Sequence, residues 1–174
     1  MFGTFSLPPT RVVVLGIALL FCSALFAQEQ LLPVFHFNRL TTADGLPTNG
    51  IRSRVVRDNK GFVWIGTFNG LARYDGYGCR VYRNDPNDPA SISSNTVMSL
   101  LLDRKQRLWV GTWETGLSLY DPARDRFINF LPRPGDSSWL QGKTVVAILE
   151  DRSGNIWLGT LLDGLVRIEM PVDM

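Results

Sequence analysis

Chemistry would need histidine, cysteine or paired carboxylates, and the 174-residue chain holds one histidine, His36, and two cysteines, Cys22 and Cys79. A base or nucleophile works only beside an oriented partner. His36 has no second histidine, no cysteine and no acidic cluster near it, and no Gly-x-Ser-x-Gly elbow exists. No Cys-x-x-Cys or Cys/His grouping offers a metal set. No catalytic residue, metal site or cofactor is therefore read. Three carboxylates do recur: Asp58, Asp103 and Asp151 each stand six residues before a tryptophan, Trp64, Trp109 and Trp157. A ring of carboxylates could hold a cation. One Asp at the same turn of each repeat is better explained as a cap, its carboxylate bonding the backbone amides ahead of it. The three Trp rings are then core, each burying about 150–250 Å² between neighbouring sheets. Trp113 and Trp139 fall outside that column, in a hairpin turn and a loop. Rings there stack on sugars or peptides, or pack over a loop base, and these two are the ligand-binding candidates.

The elements that position these residues form a repeat. Asp58 to Asp75 reads DNKGFVWIGTFNGLARYD, Asp103 to Asp121 reads DRKQRLWVGTWETGLSLYD, and Asp151 to Glu169 reads DRSGNIWLGTLLDGLVRIE. Each Trp precedes aliphatic-Gly-Thr, with Gly66, Gly111 and Gly159, and then a Gly-Leu pair that begins at Gly70, Gly116 and Gly164. The Trp-to-Trp steps are 45 and 48 residues. A fixed period of roughly 40–50 residues marks a propeller or solenoid. Leu108 to Thr112 is short, branched and aromatic, as a half-buried strand should be. Asp-x-x-Gly before it is turn chemistry, and the middle copy puts Gln106 where the Gly belongs, so its turn should be strained or of another type. The Gly after each Trp leaves room for a neighbouring backbone or ring. Four strands per repeat follow. In the middle copy they are Thr96 to Leu102, Leu108 to Thr112, Gly116 to Tyr120 and Phe127 to Phe130. Antiparallel four-stranded blades at this period are the propeller unit.

The pattern resembles the two-component regulator propeller repeat. Asn95-Thr96-Val97 through Asp121 carries the resemblance most fully, Val145 through Ile168 and Asn49 onward carry it in the other copies, and Leu40 to Pro47 resembles that family's opening segment. The resemblance covers about residues 35 to 169. It implies an all-β partial propeller, three blades in an open arc, serving as the ligand-sensing periplasmic part of a membrane signalling protein. It implies further blades of a full-length protein as partners, with a histidine kinase or diguanylate cyclase output. The ligand it implies is small, of a kind that includes sugars and oligosaccharides. The chain lacks the output motifs, so the expectation is a truncated product that is not itself an enzyme. The rival reading is a propeller enzyme. A lyase would want histidines on the propeller face, and a quinoprotein dehydrogenase a disulfide-lined pocket.

Residues 1–27 read as a signal peptide: Arg11, an apolar run from Val12 to Phe21, then Ser23, Ala24 and Ala27 before polar Gln28. The run from Val12 to Ala27 is short of the ~20 residues that span a bilayer. Export to the periplasm with cleavage near Ala27 is expected, leaving no membrane segment; an uncleaved anchor is the alternative. Cleavage leaves Cys79 alone, unable to form an intramolecular disulfide and read as a small buried hydrophobe in a strand from Cys79 to Tyr82. It also leaves 17 Lys and Arg against 16 Asp and Glu, scattered, with none of the clustering that nucleic acid requires. The blades are expected at about 49–83, 94–131 and an incomplete 143–169, and Phe35 to Leu40 as an orphan outer strand.

Overall fold

Strands form where short runs of branched and aromatic residues are bounded by turn residues. The computed structural model describes residues 35–133, 135–136, 140–141 and 143–170. Residues 1–27, read above as a signal peptide, and Trp139 lie outside them. The first sheet runs β1 (Val56–Arg57), β2 (Val63–Thr67), β3 (Gly70–Tyr74) and β4 (Cys79–Tyr82), in that order. The second runs β5 (Val97–Leu102), β6 (Leu108–Thr112), β7 (Gly116–Asp121) and β8 (Arg126–Phe130). The third holds β9 (Val145–Glu150), β10 (Ile156–Thr160) and β11 (Leu165–Ile168). Every pairing is antiparallel between chain neighbours, so each sheet is a meander, and equivalent residues pair alike: Trp64 with Arg73, Trp109 with Leu119, Trp157 with Arg167. The expected strands of the middle copy are met within one residue. Residues 35–40 differ from expectation: they form no strand, and Phe35 and Phe37 lie exposed. A strand exists only where its backbone groups find a ladder partner, so alternation alone does not make one.

Side chains on opposite faces of each sheet seal opposite neighbours. Trp64, Leu71 and Tyr82 of the first blade pack on Val97, Leu100, Leu108, Val110, Tyr120 and Phe127 of the second. One step on, Trp109 and Leu117 pack on Val145, Ile156 and Leu158 of the third. The other face of the first blade, Ile65 and Ala72, is covered by Leu40 and Leu46 with Cys79 partly buried beside them. No core cluster joins the third blade to the first among the described residues. The blades form an open arc. Leu71 and Leu117 are 0% exposed, whereas Leu165 in the same position of the third blade is 67% exposed, and Trp157 is only half-buried.

The glycine after each Trp aliphatic pair shows why the repeat tolerates nothing larger there. A Cβ on Gly66 would stand 2.5 Å from Val97 Cγ1 of the next blade, and one on Gly111 would stand 2.6 Å from the Val145 carbonyl. On Gly159 it would meet only Ala147 of its own sheet, at 3.2 Å. The Asp turns carry a second duty beyond capping. Asp58 Oδ1 accepts the Lys60 and Phe62 amides, and its Oδ2 accepts the Trp64 indole Nε1 at 2.9 Å. Asp103 and Asp151 take the indoles of Trp109 and Trp157 at the same 2.9 Å. Each ring thus enters the core with its one polar atom satisfied, which an apolar site otherwise penalises. In the middle turn Gln106 adopts a left-handed φ of 62° where Gly61 and Gly154 hold 91° and 87°, so the turn keeps its positive φ at the cost of strain.

Candidate functional site

Three hairpins leave the same end of the three blades. In each, the Thr after the repeat's glycine closes the turn: Thr67 Oγ1 donates to the Gly70 carbonyl at 2.8 Å, and Thr112 and Thr160 donate to those of Gly116 and Gly164 at 2.9 Å. These three glycines hold φ of 118°, 93° and 71°, a region that a Cβ disfavours. The closed turn presents the residue that follows the Thr: Phe68 is 51% exposed, Trp113 37% and Leu161 51%.

The starts of the next strands bind these residues into one arc. Thr96 Oγ1 lies 3.5 Å from the Phe68 carbonyl, while the Trp113 amide donates to the Thr96 carbonyl at 3.0 Å. Thr144 repeats the arrangement, its Oγ1 accepting the Glu114 amide at 3.0 Å and its carbonyl accepting the Leu161 amide at 3.0 Å. Polar groups flank the row. The Arg52 guanidinium lies 5.3 Å over the Phe68 ring, within cation–π range. Glu114 is held at φ 61°. A cavity of about 360 Å³ opens at the third hairpin, lined by Lys143, Thr144, Leu161, Leu162 and Asp163 among others. The arrangement can stack a ring face and hydrogen-bond its rim.

Of the two sequence candidates, Trp113 sits in this arc and Trp139 lies outside the described residues. Phe68 and Leu161 were not singled out from sequence, although the position after Gly-Thr in every copy marks them. His36 is exposed and lies in no strand. Among the described residues no three His, Cys, Asp or Glu side chains gather as a metal set. Burial pushes the Cys79 thiol up, and the charges of Asp75 and Asp44 add to it, so the thiolate is disfavoured.

A second polar group lies at the seam of the first two blades. The hydroxyls of Tyr82 and Tyr120 donate to Asp125 Oδ1 at 2.7 and 2.5 Å, and Arg80 pairs with the same carboxylate. Burial first, then the bonds to Tyr120 and Asp125, raises the Tyr82 hydroxyl far above its usual range. Burial opposes ionisation of Asp125, but the two hydroxyls and the charges of Arg80 and Arg73 outweigh it and hold the carboxyl below its usual value.

The signature of the two-component regulator propeller matches residues 45–69, 91–114 and 140–161, one segment per blade. The extracellular domain of a putative hybrid two-component system from B. thetaiotaomicron superposes with a TM-score of 0.71 at 25% identity, covering 76% of this chain and 19% of that one. The extracellular domain of another such system from the same organism gives a TM-score of 0.57 at 28% identity, over 74% of this chain and 17% of that one. A histidine kinase of Formosa agariphila is 39% identical over 59 residues, which are 34% of this chain and 4% of the kinase. The chain thus spans a fifth or less of the length of each of these relatives. No helix among the described residues is long and apolar enough to cross a membrane. Signature, blade order and superposition agree that each of the three blades carries a repeat of the two-component regulator propeller type.

Proposed function

We propose that this chain is the ligand-sensing propeller segment of a two-component signalling protein, exported to the periplasm, and that it binds a saccharide on the hairpin face. The supporting observation is the arc of Phe68, Trp113 and Leu161, exposed at one position in three successive blades and edged by Arg52, Glu114 and Asp163. Sugars present an apolar C–H face to such rings and hydroxyls to the polar edge, the usual division of labour in a ligand site. The chain itself acts by binding, and any phosphoryl transfer belongs to other parts of a longer protein. Further blades of that protein are its structural partners, and cleavage near Ala27 releases the segment from its leader.

The test is a glycan panel against the full chain. A saccharide that binds saturably, and at least ten times more weakly to Trp113→Ala than to wild type at unchanged melting temperature, supports the assignment. Binding that is indifferent to both Trp113→Ala and Phe68→Ala, or turnover of a bound glycan, rejects it. N-terminal sequencing of exported protein should find Gln28 or a near neighbour first; a start at Met1 in a membrane fraction would favour the anchor.

A further inference from the structure

The two seams between blades differ at the end of the strands opposite the hairpin face. At the second seam Arg104 crosses between the Asp turns. Its amide donates to Glu150 Oε2 at 2.9 Å, its Nη1 donates to the Arg152 carbonyl at 3.0 Å, and its Nε lies 3.7 Å from the same Glu150 oxygen. Arg104 follows Asp103 as Asn59 follows Asp58, and Glu150 precedes Asp151 as Leu102 precedes Asp103. At the first seam the corresponding pair is therefore Asn59 and Leu102, which cannot form an ion pair. A cleft of about 270 Å³ lies there instead, with both residues in its wall.

The chemistry of that wall is cationic and aromatic: Lys60, Arg73 and Lys105 with Phe62, Trp64 and Tyr120. Asp58 also borders it, but its carboxylate oxygens already accept two amides and the Trp64 indole. The Arg73 side chain is only 21% exposed and lies 4.6 Å over the Phe62 ring. Its one hydrogen bond within normal distance goes to the Tyr120 hydroxyl at 3.3 Å, and Asp125 stands 4.0 Å away. No buried side-chain nitrogen among the described residues lacks a partner, so the remaining Arg73 donors reach solvent, and the cleft is the opening that Arg73 lines. A guanidinium with spare donors in a half-desolvated aromatic setting favours an oxyanion. The exposed Lys60 ammonium has no ion-pair partner among the described residues and sits at the mouth.

We propose that this seam cleft is a second binding site, for a small organic anion in which a carboxylate, sulfate or phosphate is carried on a single ring. The oxyanion meets Arg73 and Lys60, and the ring lies against Phe62 and Tyr120. The cavity volume limits the ligand to about one ring, near the low end of small-molecule pockets.

The experiment follows the indole Nε1–H signals of the isotope-labelled full chain during titration with glucuronate, glucose 6-sulfate and glucose 6-phosphate, and with glucose as the neutral match. At least one anion should shift Trp64 saturably, and which one does identifies the oxyanion; glucose at tenfold higher concentration should not. Asn59→Arg with Leu102→Glu installs the bridge found at the other seam and should weaken binding at least tenfold. Should that pair of changes disturb folding, Lys60→Ala alters one exposed side chain and should weaken binding at least threefold. Absence of a saturable Trp64 shift with all three anions, an equal response to glucose, or wild-type affinity in either seam variant overturns the proposal.

Discussion

Trp109 and Trp113 differ by four positions and by almost everything physical. Trp109 is buried against the third blade with its indole on Asp103, whereas Trp113 caps an exposed turn. Trp109→Ala should destabilise the chain by about 3–5 kcal/mol, the cost of a lost ring and the cavity behind it. Trp113→Ala should cost under about 1 kcal/mol. Urea melts of the two variants check this, and equal losses would misplace the core. The Asp turn of the third blade carries a pH signature. Asp151 is lowered from the ordinary 3.8 to about 2, chiefly by the Trp157 indole and the Asn155 side chain bonding to its carboxylate. A carboxyl depressed by folding adds stability at pH values above its unfolded value and loses it as pH falls through the folded one. Melting temperature should therefore drop between about pH 4 and pH 2, and Asp151→Asn should flatten that drop. An identical pH profile in the variant would remove the indole bond from the account.

At the scale of elements, a blade is a meander whose two faces answer to different neighbours, and the repeat's glycine is where they nearly touch. Gly111→Ala drives a Cβ onto the Ser99 hydroxyl of its own blade and toward the Val145 carbonyl of the next, at 2.6 Å, and should cost about 1–3 kcal/mol, as overpacking does. Gly159→Ala has an ordinary φ and no blade against it, so it should be neutral or slightly stabilising. Thermal melts of the pair measure the difference, and equal effects would mean that Gly111 is no more crowded than Gly159. The strands themselves were legible in the sequence because Leu-Trp-Val-Gly-Thr and its flanking turns carry their own local chemistry. The turn at Gln106 was legible as an exception for the same reason. The Asp-to-indole bond was visible only as a constant spacing of six; its meaning needs the strand geometry that folds Trp back over the turn. The unpaired state of residues 35–40 was not legible, because alternation of Phe35 and Phe37 reports a willingness to pair and not the presence of an edge. The seam cleft was hidden too, since Asn59 and Leu102 meet only across two blades.

At the scale of the whole set of blades, the first is sealed by the second and the second by the third, and the third presents the face that the first two bury. Leu149 and Leu165 stand exposed on that face beside half-buried Trp157, with Arg167 over its ring at 5.7 Å. A contiguous apolar face next to the sheet edge of β11 favours association. The purified chain should sediment as concentration-dependent oligomers, and Leu165→Glu should shift it toward monomer. The sealing of blade by blade is tested most directly by hydrogen exchange at the indole N–H groups of Trp64, Trp109 and Trp157, measured at a concentration low enough to suppress association. All three make the same 2.9 Å bond to an Asp, so any difference between them reports the cover supplied by the next blade. The account predicts slow exchange at Trp64 and Trp109 and exchange at least tenfold faster at Trp157. Equal protection at all three would contradict it, because Trp157 would then be covered as fully as the others.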